Sequence, residues 1–233
     1  MSLDEVALWE QLAKSKRAPL EPAWLGEVYC PRLSIELRTA LCEKLGMHAE
    51  LGWPIILELV STHGVQPDLV MASGLCHQNE ARDWLLNLLS QPCENESINL
   101  AVVQALGCWG AEVPISVVIN CLQHPGQLYR LAGLQLLSFR SHCLKDDELL
   151  QLCHHLLNDF RDLVVVETIR VLQRRDGVVI SEALSDLCQN GSNAVAEASL
   201  RALGCIATTA SQRCLLELSQ NLNDENRRPV SYT

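Results

Sequence analysis

The sequence predicts an all-α chain, a right-handed α-solenoid of about six short helical hairpins, and three observations carry that expectation. Apolar residues fill 48% of the 233 positions and aromatic ones only 4%, with Leu, Ala and Val dominant. That balance suits packed helices, because strands draw on β-branched and aromatic residues. Apolar residues also recur at helical spacing along nearly the whole chain. Finally, Leu45, Leu75, Leu106, Leu137, Leu172 and Leu203 stand 30, 31, 31, 35 and 31 residues apart. A fixed period of this length marks stacked supersecondary units.

Residues 1–33 read as an N-terminal helical cap. Ser2-Leu3-Asp4-Glu5 has the form of a capping box opening a helix to about Ala13. Pro19 and Pro22 break the chain, and a short apolar segment from Trp24 to Tyr29 precedes Pro31.

Residues 34–222 hold the repeats. First helices are expected over 34–46, 66–76, 97–107, 128–138, 164–173 and 195–204, each ending on an anchor leucine that is often followed by Gly. Three positions before the anchors stand Cys42, Ala72, Val103, Leu134, Ile169 and Leu200, all apolar. Five positions before stand Ala40, Val70, Ala101, Ala132, Glu167 and Ala198, mostly small, so this column should face a closely packed helix.

Second helices are expected over 54–61, 80–89, 114–122, 146–157, 181–188 and 212–222. In one of them Ala81, Trp84, Leu85, Leu88 and Leu89 form a single stripe. Pro54 and Pro114 sit where a first-turn proline is tolerated, and Pro125-Gly126 and Asn190-Gly191 punctuate the links. No such pair buries its apolar face alone, whereas stacking neighbours makes a continuous core. Residues 223–233, with Pro229, read as a polar tail.

The charge balance excludes some functions. There are 28 acidic residues against 18 basic ones, a net charge of −10, and the densest basic cluster is Lys14, Lys16 and Arg17. Nucleic-acid binding needs a basic footprint to displace counterions from phosphates, so it is not expected. The basic set holds fourteen Arg and four Lys. Arg suits carboxylate recognition, and a plain compositional bias explains the excess equally well. The eleven cysteines sit inside apolar helical patterns without a secretory signal core. No apolar run approaches the ~20 residues of a membrane span. A reduced, cytoplasmic chain is therefore expected.

A first helix ending in Ala-Leu-Gly about every 31 residues resembles the short HEAT-like repeat of the phycobilin lyase family. Gln104-Ala105-Leu106-Gly107 and Arg201-Ala202-Leu203-Gly204 are the best copies. The resemblance covers residues ~34–222 at the level of the repeat. It implies a HEAT-like solenoid handling bilin attachment or removal on phycobiliproteins, as a lyase, a lyase subunit or a lyase-like chaperone. The implied partners are a phycobiliprotein or a second lyase subunit, with a bilin as transient ligand and no permanently bound cofactor. A related di-iron hydroxylase on similar repeats uses His-Glu dipeptides as ligands. None occurs here, so that metal site is not carried over.

Cys121, Cys153 and Cys188 recur in three successive second helices, as a row of thiols or as a repeated small core position. His142, Cys143, Cys153, His154 and His155 lack the spacing of a zinc site. Asp83, Asp146 and Asp147 lie near helix starts, where they oppose the helix dipole. No phosphate loop, nucleophile elbow or HExxH stands in the sequence, so any reactive nucleophile would come from the client protein.

One column, three residues past each anchor, reads His48, Gln78, Trp109, Arg140, Arg175 and Ile206, with His77 and Arg174 adjoining. Trp109, Arg140, Arg175 and His77 are the candidate ligand-binding residues: an aromatic face for conjugated rings and guanidinium for carboxylates. In the competing reading these arginines satisfy the last carbonyls of their helices. The alternative function is a non-catalytic adaptor that binds protein through the groove of the solenoid.

Overall fold

The computed structural model describes residues 4–14, 19–91 and 95–227. Among them every regular element is helical. The chain divides into two compact units, Met1–Val113 and Pro114–Thr233.

The first unit contains α1 (Glu5–Lys14), α2 (Pro22–Val28), α3 (Ile35–Gly46), α4 (Gly52–His63), α5 (Pro67–Cys76), α6 (Asn79–Ser90) and α7 (Glu96–Leu106). Its cap opens on Asp4, whose carboxylate accepts hydrogen bonds from the Val6 and Ala7 amides at 3.2 and 3.3 Å. Ser2, the expected cap, lies outside the described residues, as do Lys16 and Arg17. Glu5 instead accepts from the amide and hydroxyl of Ser34 at 2.8 and 2.7 Å, so α1 supplies the N-terminal partner of α3.

Helices α3, α5 and α7 pack side by side as one row. Helix α2 packs on α4, and Trp53 of α4 meets Trp84 of α6 edge-on at 5.8 Å, which makes a second row. The first row is tight. A Cβ on Gly46 would stand 2.7 Å from the Ala72 carbonyl, and one on Gly74 2.7 Å from the Ala105 carbonyl. Both glycines therefore serve close helix approach, and for Gly46 this replaces the turn that the sequence pattern suggested.

The second unit contains α8 (Ile115–Gln123), α9 (Gln127–Arg140), α10 (Asp146–Leu157), α11 (Asp162–Leu172), α12 (Val178–Asn190), α13 (Asn193–Ile206) and α14 (Thr209–Arg227). Helices α9, α11 and α13 form one row, and α8, α10, α12 and α14 the other. Helix α14 continues past Leu222 to Arg227, and residues 228–233, with Pro229, lie outside the described residues.

The links between pairs are tied by charge. The Asp159 side chain is fully buried and accepts from the Arg161 amide at 2.9 Å, from Arg161 Nε and Nη2 at 2.8 Å each, and from Arg130. Arg161 also donates to the Pro125 carbonyl at 3.0 Å and Arg130 to the His124 carbonyl at 2.7 Å, so one carboxylate joins two successive links.

All twelve repeat helices stand where the sequence pattern expects them, and five of the six anchors are buried: Leu45, Leu106, Leu137, Leu172 and Leu203. Leu75 is the exception, with 40% of its surface exposed, while Cys76 beside it is fully buried. The α5 register is one residue later than the leucine pattern implied, and the small thiol takes the anchor place. Leu200 is also exposed, although its counterpart Ile169 is buried, because no further first-row helix packs over α13 among the described residues.

Two stability predictions follow from this packing. Leu106→Ala should cost about 2–5 kcal/mol in denaturant unfolding, whereas Leu75→Ala should cost about 1 kcal/mol or less and Gln212→Ala within about 0.5 kcal/mol. Equal losses for Leu106 and Leu75 would reject the shifted register.

The second concerns Asp159, whose carboxyl is held far below its ordinary range, chiefly by the Arg161 hydrogen bonds against an opposing cost of burial. A depressed carboxyl contributes stability above its unfolded value near 4 and loses it as pH falls toward the folded value. Asp159→Asn should thus destabilise by about 2–3 kcal/mol from pH 5 to 8, and the gap should shrink only below about pH 4. A gap that closes near neutral pH would refute this role.

Candidate functional site

The four candidate ligand residues fall in both units. In the first, Trp109 lies in a 3-10 turn, Gly107–Glu112, that follows α7. His77 ends α5 in the left-handed region, at φ 51°, a conformation uncommon outside glycine. That turn aims the imidazole at the indole, and the two rings stack at 5.2 Å with 27° between their planes. Trp109 is only 5% exposed. Its aromatic surface is thus largely covered from within the protein.

In the second unit Arg175 pairs with Asp146 at 2.6 Å and donates to the Ser141 and Leu144 carbonyls at 2.7 and 2.8 Å. It binds the link between α9 and α10, satisfying carbonyls past a helix end. Arg140 is half-buried in the last turn of α9.

Cys121 and Cys153 are buried and Cys188 half-buried. Burial pushes their thiols up to about 11, 12 and 11 respectively, the opposite of an activated nucleophile. His155 is bonded to the Leu122 carbonyl at 2.9 Å. Among the described residues no group of three or more His, Cys, Asp or Glu could hold a metal ion. None of their helices is long and apolar enough to cross a membrane.

A concavity in the first unit was not expected from the sequence. A groove of about 450 Å³ runs over α3, α5 and α7 in the first unit. Ile35, Met71 and Leu75 line it while exposing 69%, 36% and 40% of their surfaces, and Gln104 borders it on α7. The same slip of register that uncovers Leu75 therefore gives the groove part of its apolar surface.

A polar cluster of low exposure lies among the groove residues. Asp68, on the first turn of α5, accepts from the Tyr29 hydroxyl at 2.8 Å and from the Cys42 thiol at 3.8 Å. Burial, and then Asp68, pushes both the Tyr29 and the Cys42 pKa well above their ordinary values, so both groups stay protonated donors. Arg38 of α3 sits beside them, with its Nε 3.8 Å from the same carboxylate oxygen.

Arg38 and Asp68 are 30 residues apart, one repeat period, which places them in adjacent layers. Comparing charge as well as hydrophobicity between repeats would have shown the pair. A smaller groove of about 350 Å³ lies over α9 and α11 in the second unit, where Leu131, Leu163 and Val171 meet Arg170 and Arg174. There Arg170 is paired with Glu167, and Arg174 reaches the Ser138 carbonyl at 3.4 Å.

No family model matches the chain, and no curated protein matches its sequence.

Thiol reactivity should separate surface from core. Cys143 and Cys205 are exposed, whereas Cys42, Cys76, Cys121 and Cys153 are buried. Burial pushes the Cys76 thiol up to about 12. Maleimide labelling at pH 7.5, read by peptide mass, should modify the first two in the native protein and the other four only after denaturation. Rapid native labelling of Cys121 or Cys153 would revive a reactive thiol row.

Proposed function

We propose that the protein is a HEAT-like α-solenoid adaptor whose first unit docks an amphipathic helix of a protein partner in the groove over α3, α5 and α7. The observation that carries this reading is the set of exposed apolar side chains, Ile35, Met71 and Leu75, facing one groove on consecutive first-row helices. Two-row packing within each unit supports the solenoid.

A helix suits the groove better than other peptide conformations. Strand addition needs an open sheet edge, and the described residues contain no strand. Polyproline ligands need aromatic walls, whereas the residues lining this groove include no aromatic one. Residues 1–113 hold fifteen acidic and seven basic residues, against thirteen and eleven in the rest of the chain. Charge complementarity therefore favours a partner helix that is basic overall.

Bilin handling rests on the family resemblance. It receives less from the geometry, since Trp109 is covered by His77 and Arg175 is committed to Asp146 and two carbonyls.

Replacing Met71 by Arg should abolish helix docking while leaving circular dichroism unchanged, because Met71 is partly exposed. The measurement is retention of a partner by immobilised wild type and by the variant. Equal retention would place docking elsewhere. In parallel, a bilin titration followed by absorbance should show no saturable binding. Binding that Arg140→Ala removes would favour the bilin reading instead.

A further inference from the structure

Resting on the docking reading above, we propose that Arg38 is the specificity residue of the first unit's groove and receives an Asp or Glu side chain carried on the docked helix.

A guanidinium has five N–H donors, and a desolvated one needs partners for them. Arg130, Arg161 and Arg175 are arginines of similar burial, with side chains 18%, 16% and 21% exposed. Each is well bonded. Arg130 holds Asp159 and donates to the His124 carbonyl at 2.7 Å. Arg161 holds Asp159 through two nitrogens at 2.8 Å and donates to the Pro125 carbonyl at 3.0 Å. Arg175 holds Asp146 at 2.6 Å and donates to two carbonyls.

Arg38 is only 16% exposed and has no comparable set. Among the described residues its one guanidinium hydrogen bond runs from Nη1 to the Pro31 carbonyl at 3.5 Å. Its Nε is buried without a hydrogen bond, and Asp68 remains 3.8 Å away, with the same oxygen taken by Tyr29 and Cys42. The guanidinium thus lines the groove with most of its donor capacity unused.

A carboxylate is the group whose geometry matches the planar fork with two parallel bonds. The surrounding unit is acidic, with fifteen carboxylates against seven basic residues, so free anions are repelled at long range. A carboxylate brought in on a helix that Ile35, Met71 and Leu75 already hold by apolar contact meets Arg38 at close range, where screening is least. The partner segment therefore combines apolar residues at helical spacing, a basic remainder, and one acidic residue set among the apolar ones.

The test uses a displayed library of amphipathic helical 15-mers selected on the full chain, with selected peptides resynthesised as C-terminal amides so that only side-chain carboxylates count. Peptides whose binding requires Met71 should share an Asp or Glu at a fixed offset from their apolar residues. Changing that residue to Gln or Asn should weaken binding to wild type about 10- to 100-fold, the range for one charge-assisted hydrogen bond. Arg38→Gln should cause the same loss, and the two changes together should add little beyond either alone. Arg38→Lys, which keeps the charge without the fork, should recover only part of it.

Because the change in the peptide leaves the protein untouched, misfolding of a variant cannot imitate the result. Groove binders that depend on Met71 but show no acidic preference, or that bind Arg38→Gln as tightly as wild type, would overturn the role of Arg38 and leave the docking reading standing. If the library yields no binder that Met71→Arg weakens, both fall.

Discussion

Backbone contact along α5 is the constraint on which the first unit depends. Gly46 and Gly74 bring α3, α5 and α7 close enough that a single added methyl group would meet a carbonyl oxygen at 2.7 Å on either side. Helices this near leave little space between them for large side chains. Leu69 of α5 is nevertheless fully buried, while Met71 and Leu75 turn outward onto the groove. The apolar surface proposed for docking is in this sense a consequence of tight packing in the row beneath it.

The second unit solves its packing differently. Gly133 is its counterpart for close approach, with the Cys121 Cβ 2.8 Å from where its own would be, but that contact joins the two rows rather than helices of one row. Between successive pairs the work passes to charge. Asp159 with Arg130 and Arg161 joins two successive links, and Arg175, past the end of α11, ties the next pair to Asp146 and the carbonyls of the α9–α10 turn. Such buried pairs are worth little beyond apolar packing of the same volume, yet removing one partner leaves a charge stranded. They fix where each link lies.

The sequence period made the helices legible because each pair must bury the same stripe, and burial imposes the spacing. It misplaced details wherever side-chain identity and position part company. Leu75 looked like an anchor because it is a leucine, but Cys76, smaller and equally apolar, fits the tight site beneath it. Glycines after the anchors looked like turn markers, whereas Gly46 is a contact point within the row. Trp109 looked available because a hydrophobic pattern cannot show that His77, in a left-handed turn, folds back over it. The groove itself was illegible, since no periodicity reports how far apart two helices stand.

Arg38 shows where stability and binding part. Arg38 and Asp68 form a loose, largely buried pair at 3.8 Å, so removing the guanidinium alone would leave the carboxylate with two neutral donors and no cation. Tyr29 and Cys42 already satisfy the Asp68 oxygen that Arg38 approaches. In the empty groove the charge makes one distant pairing with Asp68, and it would gain closer partners when the groove is filled. A site of this kind favours its occupied state twice over, through apolar area removed from water and through donors that find acceptors only on binding. The second contribution is directional and the first is not, so the aliphatic side chains would set affinity and the arginine would decide which helix is accepted.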